Sequence, residues 1–491
     1  MNTLNPEQLT FFTQIANLAF VNPFSREREQ ADWKILKLNP QPKSDTERRK
    51  LLVAKLDRQF QELTRQQRFD IRVYQGQAYE IIRLAWLVKV FYGYQPQFDD
   101  FIRAQQQSGD KTLELPFAIT VLAEFEQAGF SRAQATHFIA LLFQLQRAFC
   151  FIDEAVSGTS DAIIELRKRL WNNIFTFNPE WYLKHLCNRM EDFSLLLLGE
   201  TGTGKSLVAK AIGCSGYIPF DASSRKFVES FTASFKAINL SQYSTGVLES
   251  ELFGHKKGAF TGAIDTHPGL FAKCSKYGSV FIDEIGEIDI PIQVKLLNVL
   301  QGRNYCPVGS HERQRFEGRV ISATNRPIER LMETGLFRVD FYYRLCSDVI
   351  TLPNLRERIN QNPTELRELI ARLLARVIES PDEELIDRID TRISEVVPKA
   401  YHWPGNVREL EQCIRRICLS GTYQGQPLIT TIQSNNAIFQ ANAEGTYLSA
   451  QQLLQTYCRF LYGQHHSYET VARIANLDRR TVKKYIDLGE S

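Results

Sequence analysis

The chain has 491 residues, 43% of them hydrophobic and 23% charged, with a net charge of +3. That length exceeds what one hydrophobic core serves and predicts two to four domains, while the balance excludes a disordered chain. The small net charge excludes a globally basic nucleic-acid binder, so any DNA-binding surface must be a local patch.

The nine cysteines include no C-x-x-C pair, and the closest two are Cys413 and Cys418. They read as reduced thiols, mostly buried as small hydrophobes. Met1–Asn17 lacks the basic start and apolar run of a secretory signal. The most apolar stretch, Leu84–Tyr92, is short and carries Lys89, so no membrane span and a cytoplasmic protein are expected.

From Met1 to about Ala155 the pattern is helical. Leu52, Leu56, Phe60 and Leu63 fall on one face of a charged helix starting near Thr46. Ile81, Leu84, Ala85 and Val88 repeat that spacing, as do Phe138, Leu141, Leu142 and Leu145. No catalytic constellation is found there, and the region is expected to be an all-α regulatory or assembly domain. From Val156 to Gly421 short apolar runs alternate with helical patterns, which predicts an α/β domain with a parallel sheet between helices. Residues 422–446 read as a polar linker, and residues 447–491 as a small helical module.

The strongest local motif follows the apolar strand Leu195–Leu198. Gly199, Glu200, Thr201, Gly202, Thr203, Gly204, Lys205 and Ser206 fit G-x-x-x-x-G-K-[ST] at every fixed position. Such a loop points backbone N–H groups at phosphate oxygens, with a lysine for the β- and γ-phosphates and a hydroxyl for Mg²⁺. ATP and Mg²⁺ are therefore the expected cofactors, with Ser206 and Asp283 the metal-side pair. Downstream, the strand around Val280–Ile282 delivers Asp283 and Glu284 to its carboxyl end, the first suited to Mg²⁺ and the second to activating water.

Thr324 and Asn325 follow Val320 and Ile321 and suit sensing of the γ-phosphate. Arg338 and Arg344 stand six apart, and a guanidinium supplied by a neighbouring subunit would stabilise phosphoryl charge, which requires an oligomer. In the run from Trp403 to Glu411, Pro404-Gly405 makes a turn, Asn406 is the expected helix cap, and Arg408, near the helix start, could touch phosphates from a lid subdomain.

Between the phosphate loop and Asp283-Glu284 runs Leu248-Glu-Ser-Glu-Leu-Phe-Gly-His255, then Gly258, Ala259, Phe260, Thr261, Gly262 and Ala263. With this GAFTGA hexapeptide beside a full ATPase set, the chain resembles the AAA+ domain of the sigma-54-dependent bacterial enhancer-binding activators. The resemblance covers about Val156–Gly421 and the C-terminal module. It implies a helical lid from about residue 355, a loop at 258–263 that engages sigma-54, a second short loop near Val308–His311, and a ring, a hexamer in the family's manner. It also implies that Thr324 and Asn325 match a first sensor, Arg338 and Arg344 a trans-acting pair and Arg408 a second sensor. Asn239 matches the asparagine that holds the catalytic glutamate until ATP rearranges it.

Three departures stand out: Ser206 where the family often has an acid, a longer approach to the first strand over Thr176–Met190, and a more polar Ser241–Gly246. The adenine-side contacts are not legible.

The C-terminal module resembles the Fis-type helix-turn-helix that ends most family members. Tyr457, Phe460 and Leu461 mark a first helix, Val471, Ala472 and Ile474 a second, and Val482 with Ile486 a third capped by Asp478. Arg479, Arg480, Thr481, Lys483 and Lys484 would then face double-stranded DNA. The implied function is an ATP-driven activator that binds upstream DNA and remodels sigma-54 RNA polymerase. An AAA+ remodeller of another client and a DNA-binding regulator with a vestigial ATPase are the alternatives. The helical region before Ala155 is expected to repress or license ring assembly.

Overall fold

The structure, a computed structural model, describes residues 4–36, 45–64, 69–378, 380–398, 401–423, 450–465 and 467–487. It divides into two compact units, Met1–Ser394 with Lys399–Gly421, and Glu395–Pro398 with Thr422–Ser491. The expected linker lies almost wholly outside the described residues.

The first unit opens with helices Pro6–Leu18, Arg26–Leu36, Asp45–Leu63, Gly76–Ser108, Ala118–Gln127 and Arg132–Ala155. Capping boxes start the first and last of these: Asn5 with Gln8, and Ser131 with Gln134. The apolar stripes read from the sequence are the buried faces. Leu52, Leu56, Phe60, Ile81, Ala85, Val88, Phe138, Leu141 and Leu142 all lie in the core. Helix Arg132–Ala155 is long and apolar enough to cross a membrane, but 72% of its most apolar window is buried inside the protein, as a core helix requires.

Five strands form one parallel sheet: β1 (Leu195–Leu198), β2 (Phe235–Asn239), β3 (Ser279–Asp283), β4 (Arg319–Thr324) and β5 (Asp348–Thr351). Their order is β2-β3-β4-β1-β5. Alternation along each strand sorts side chains to the two faces. Leu195, Leu197, Phe281, Ile321, Ala323 and Ile350 join one core with helix Lys205–Gly213 and the N-terminal helices. Leu196, Ile238, Val280, Ile282 and Val320 join the other, under helices Thr245–Phe253, Ile290–Gly302 and Val339–Leu345. Both faces are covered, which is why these strands read as continuous apolar runs.

The first core therefore runs unbroken from Phe12 to the sheet, and the expected division at Ala155 falls inside this unit. Arg147, on helix Arg132–Ala155, is fully buried beside that core. The guanidinium donates to Cys214 O at 2.8 Å and Gly216 O at 2.7 Å, just past the C-terminus of helix Lys205–Gly213. It lies over the rings of Phe143 and Phe231, at 4.7 and 5.4 Å. A cation at a helix C-terminus satisfies carbonyls and complements the helix dipole. Burial pushes the Arg147 pKa down to about 10, so it stays protonated at neutral pH.

The lid follows β5, with helices Leu355–Gln361, Glu365–Val377, Glu383–Val396 and Asn406–Ser420. Glu365, fully buried, pairs with Arg358 and accepts the Ser160 N–H at 2.6 Å and the Thr159 N–H at 3.2 Å. It thereby holds the strap between helix Arg132–Ala155 and helix Asp161–Phe175. Gly158 in that strap has φ +132°, and a Cβ there would stand 2.4 Å from Glu365 Oε1.

The second unit contains helices Ala450–His465, Tyr468–Ala475 and Arg479–Asp487 around buried Cys458, Leu461, Val471 and Val482. Ser467 caps the second helix, and Asp478 Oδ1 accepts the Arg480 N–H at 2.7 Å at the start of the third. Ile474 lies on the second helix as expected but is exposed rather than packed. All nine cysteines are unpaired.

Candidate nucleotide site and the loops around it

The parallel register brings the carboxyl ends of the strands level: Leu198 pairs with Thr324, and Asp283 with both Asn239 and Ala323. A cleft of about 280 Å³ opens at that edge. It is lined by the phosphate loop, Asn239, Asp283, Glu284 and Arg408. Ligands of α/β sheets collect at this edge because loops there are free of the sheet ladder while helix N-termini point in.

Lys205 begins helix Lys205–Gly213 and curls back to donate to Gly199 O at 2.8 Å and Glu200 O at 3.2 Å. Burial lowers its pKa, against the opposing charges of Glu284 and Asp283. Ser206 Oγ donates to Asp283 Oδ2 at 3.3 Å, so a hydroxyl and a carboxylate meet where the two motifs converge. This donor set suits Mg²⁺, a hard cation that takes oxygen ligands and keeps waters. Glu284 sits beside them in a left-handed conformation, φ +57°. Its Oε2 is buried without a hydrogen-bond partner. Burial, then the Asp283 charge, raises its pKa, against Lys205. A half-buried carboxylate with an unpartnered oxygen at the phosphate-loop end of a cleft is suited to take a proton from water.

Thr324 and Asn325, expected to sense the γ-phosphate, are held differently. Asn325 Nδ2 donates to Thr201 Oγ1 at 2.9 Å, across the phosphate loop. Thr324 is fully buried, and its hydroxyl accepts the Arg326 N–H at 3.1 Å. Asn239 lines the cleft, but its carboxamide oxygen accepts from Ser241 N at 3.0 Å and Ser241 Oγ at 2.6 Å rather than meeting Glu284. It caps the turn Leu240–Gln242, which leads into helix Thr245–Phe253.

The lid meets the phosphate loop directly. A Cβ on Gly202 would stand 2.1 Å from Gly405 O, so only glycine fits that contact. Asn406 differs from the cap expected of it, since it is the first residue of its helix. Its Nδ2 donates to Glu200 Oε2 at 3.1 Å and Thr201 O at 3.0 Å, and its Oδ1 accepts the Leu355 N–H at 2.8 Å. Capping falls to Glu409, whose Oε2 accepts the Gly405 N–H at 2.8 Å. Arg356 forms a two-pronged pair with Glu200, which holds the Glu200 carboxyl below its usual range.

One wall of the cleft, which sequence reasoning missed, is apolar: Val156, Ile163 and Leu166 line it together with Leu369 and Leu373 of the lid. The signal available was the amphipathic pattern of helix Asp161–Phe175, whose second face has no meaning until the lid is placed.

Arg338 and Arg344 do not line this cleft. Arg338 pairs with Asp340 at 2.7 Å, and Arg344 donates to Leu300 O at 2.9 Å; both side chains are at least partly exposed. The loop Gly258–Ala263 is closed at its base, with Gly258 N donating to Ala263 O at 2.8 Å. Phe260 is 47% exposed and stands edge-on to His255 at 4.9 Å. The segment Val308–His311 lies against it: Lys256 N donates to Val308 O at 3.1 Å, and Gly309 packs on Ala259. In the second unit Arg479, Arg480, Lys483 and Lys484 are exposed, Thr481 is half-buried, and Arg479 pairs with Glu469 at 3.0 Å.

Residues 183–351 match a family described as Sigma-54 interaction domain, and residues 360–447 one described as AAA+ ATPase lid domain. The DNA-binding transcriptional regulator NtrC of Azospirillum brasilense is 39% identical over 228 residues, 46% of this chain and 43% of its own length. The Sigma54-dependent transcriptional activator SfnR of Pseudomonas putida is 36% identical over 295 residues, 60% of this chain and 74% of the relative. The chain belongs to the sigma-54-dependent transcriptional activators. Within that family the Regulatory protein AtoC of Escherichia coli (strain K12) is 32% identical over 334 residues, 65% of this chain and 68% of the relative. The chain thus spans about two fifths of the length of NtrC and about two thirds or more of SfnR and AtoC. Both family matches begin after residue 182, so the helices from Pro6 to Phe175 lie outside them.

Proposed function

We propose that the protein is an ATP-driven transcription activator. It binds DNA upstream of a promoter, assembles into a ring (a hexamer), and hydrolyses ATP to remodel sigma-54 RNA polymerase. The observation that carries this reading is the convergence of Lys205, Ser206, Asp283 and Glu284 on one cleft, with Asn325 bonded to Thr201 of its wall and Asn239 starting the segment that ends in an exposed Phe260.

Lys205 and the phosphate-loop N–H groups hold the phosphates, and Ser206 with Asp283 would hold Mg²⁺, which supplies charge neutralisation at the phosphates when bound. Glu284 takes a proton from the attacking water. Loss of the γ-phosphate releases Asn325 and Arg408, one on the sheet and one on the lid. Asn239 passes that change through Leu240–Gln242 to helix Thr245–Phe253 and the base of the Phe260–Thr261 loop. Arg338 and Arg344, outside their own cleft, complete the site of the neighbouring subunit. Exposed Arg480, Lys483 and Lys484 face DNA phosphates, and repeated subunits supply avidity.

The test measures ATPase rate against protein concentration, with promoter opening in parallel, for the wild type, Glu284→Gln and Thr261→Ala. The expected result is a cooperative rise in the wild type and no turnover in Glu284→Gln. Thr261→Ala should hydrolyse ATP yet fail to open a promoter. Turnover in Glu284→Gln would overturn the catalytic assignment, and promoter opening by Thr261→Ala would overturn the loop's role.

A further inference from the structure

We propose that the helical region holds an effector site for a small organic anion with an aromatic or apolar body, and that the nucleotide cleft reads its occupancy. A second cavity, of about 450 Å³, lies among the helices that precede the sheet. That volume falls in the range of sites for small organic ligands. Its wall includes Leu145, Phe149 and Trp171, and Phe24 stacks on Phe149 at 5.2 Å.

Among the described residues on its wall, cations exceed carboxylates: Arg26, Arg28, Arg48, Arg49 and Arg167 line the cavity with Asp32 and Asp153, and Arg26 pairs with Asp161, which is not on the wall, at 2.7 Å. Arg28 and Arg48 share one carboxylate, Asp32, at 3.3 and 3.2 Å, and Arg167 takes Asp153 at 3.3 Å. Arg49 makes no ion pair within 4 Å among the described residues, and its guanidinium lies 5.3 Å over the Phe149 ring. A half-buried guanidinium on an aromatic face, without a carboxylate of its own, is costly to desolvate. It offers a forked donor to an incoming carboxylate, phosphate or sulfonate, while the apolar wall takes the body.

The route to the cleft is one helix. On Asp161–Phe175, Ile164, Arg167 and Trp171 face the cavity, while Ile163 and Leu166 form the apolar wall of the cleft. Arg167 Nε also donates to Val156 O at 2.8 Å, and Val156 is part of that same wall. An anion that draws Arg167 or presses on Trp171 moves that wall. This coupling rests on reading the cleft as the ATP site; the effector site itself does not.

The experiment titrates the full chain with 8-anilinonaphthalene-1-sulfonate and, as the same body without the charge, N-phenyl-1-naphthylamine. One saturable sulfonate site is expected, weakened about tenfold by Arg49→Gln while the uncharged dye changes little. Leu145→Trp, which fills the cavity, should remove both, with Val21→Trp as a second filling variant should the first misfold. Equal loss of both dyes in Arg49→Gln, or sulfonate binding that survives both filling variants, overturns the site. In the wild type the sulfonate should shift the affinity for a fluorescent ATP analogue, and Arg49→Gln should abolish the shift. An unshifted affinity overturns the coupling alone. Failure to bind the analogue at all strikes the ATP reading, and the dye titration still decides the cavity.

Discussion

Glu284 is the residue where activity and stability oppose each other. Its folded pKa is raised, so the protonated form is favoured in the folded state relative to the unfolded chain. Its contribution to stability is therefore fully present below the ordinary carboxylate range and is lost as pH rises through the raised value. Glu284→Gln, which removes a buried carboxylate oxygen with no partner, should stabilise the protein at neutral pH by about 0.5 kcal/mol, after allowance for solvent at this half-open cleft. Urea titration at pH 7 and at pH 4 checks this: the gain should shrink at the lower pH. The same shift places the acidic limb of the ATPase profile above the ordinary carboxylate range, since only the ionised form accepts a proton. Asn406 belongs to this scale as well. Asn406→Ala removes the bonds to Glu200, Thr201 and Leu355, and a KM for ATP raised more than kcat is lowered would mark it as a positioning residue.

Among the elements, helix Arg132–Ala155 is the unexpected partner of helix Lys205–Gly213, which follows the phosphate loop. Arg147→Met keeps much of the apolar volume but leaves the Cys214 and Gly216 carbonyls without their donor. The expected cost is about 2–4 kcal/mol by urea unfolding, and Arg147→Lys should recover part of it because one ammonium cannot match both bonds of the fork. The strap behaves similarly. Gly158→Ala combines a positive φ with contact against Glu365, and a loss of about 2 kcal/mol or more is expected. In the sequence, neither Arg147 nor Gly158 belonged to any motif. Each matters only through partners about 70 and 200 residues away along the chain.

For the whole molecule, the continuous core makes the helical region part of the ATPase rather than a detachable cover. A chain lacking Met1–Ala155 would expose the apolar side of helix Lys205–Gly213, where Val208, Ala209 and Ile212 are buried. It should aggregate or melt without a cooperative transition, whereas residues 1–421 should unfold as one unit. A soluble, cooperatively folding fragment 156–421 would count against this. DNA affinity should fall steeply with salt, and Lys483→Ala with Lys484→Ala should flatten the log–log slope by about 1–2.

The phosphate loop, Asp283-Glu284, Thr324-Asn325 and the hexapeptide could be picked out in the sequence because each is a short contiguous run whose chemistry depends on its own backbone geometry. The helical stripes and the buried strands were legible for a related reason: periodicity of burial is written locally. What needed the tertiary structure was every relation between distant segments. Only the packed fold turned Asn406 from a cap into a clamp, turned Asn239 toward Ser241, and kept Arg338 and Arg344 out of their own cleft. It alone placed Val156, Ile163 and Leu166 against the lid and joined the N-terminal helices to the sheet. Those contacts arise between faces that are each merely apolar or merely charged, and a face does not encode its partner.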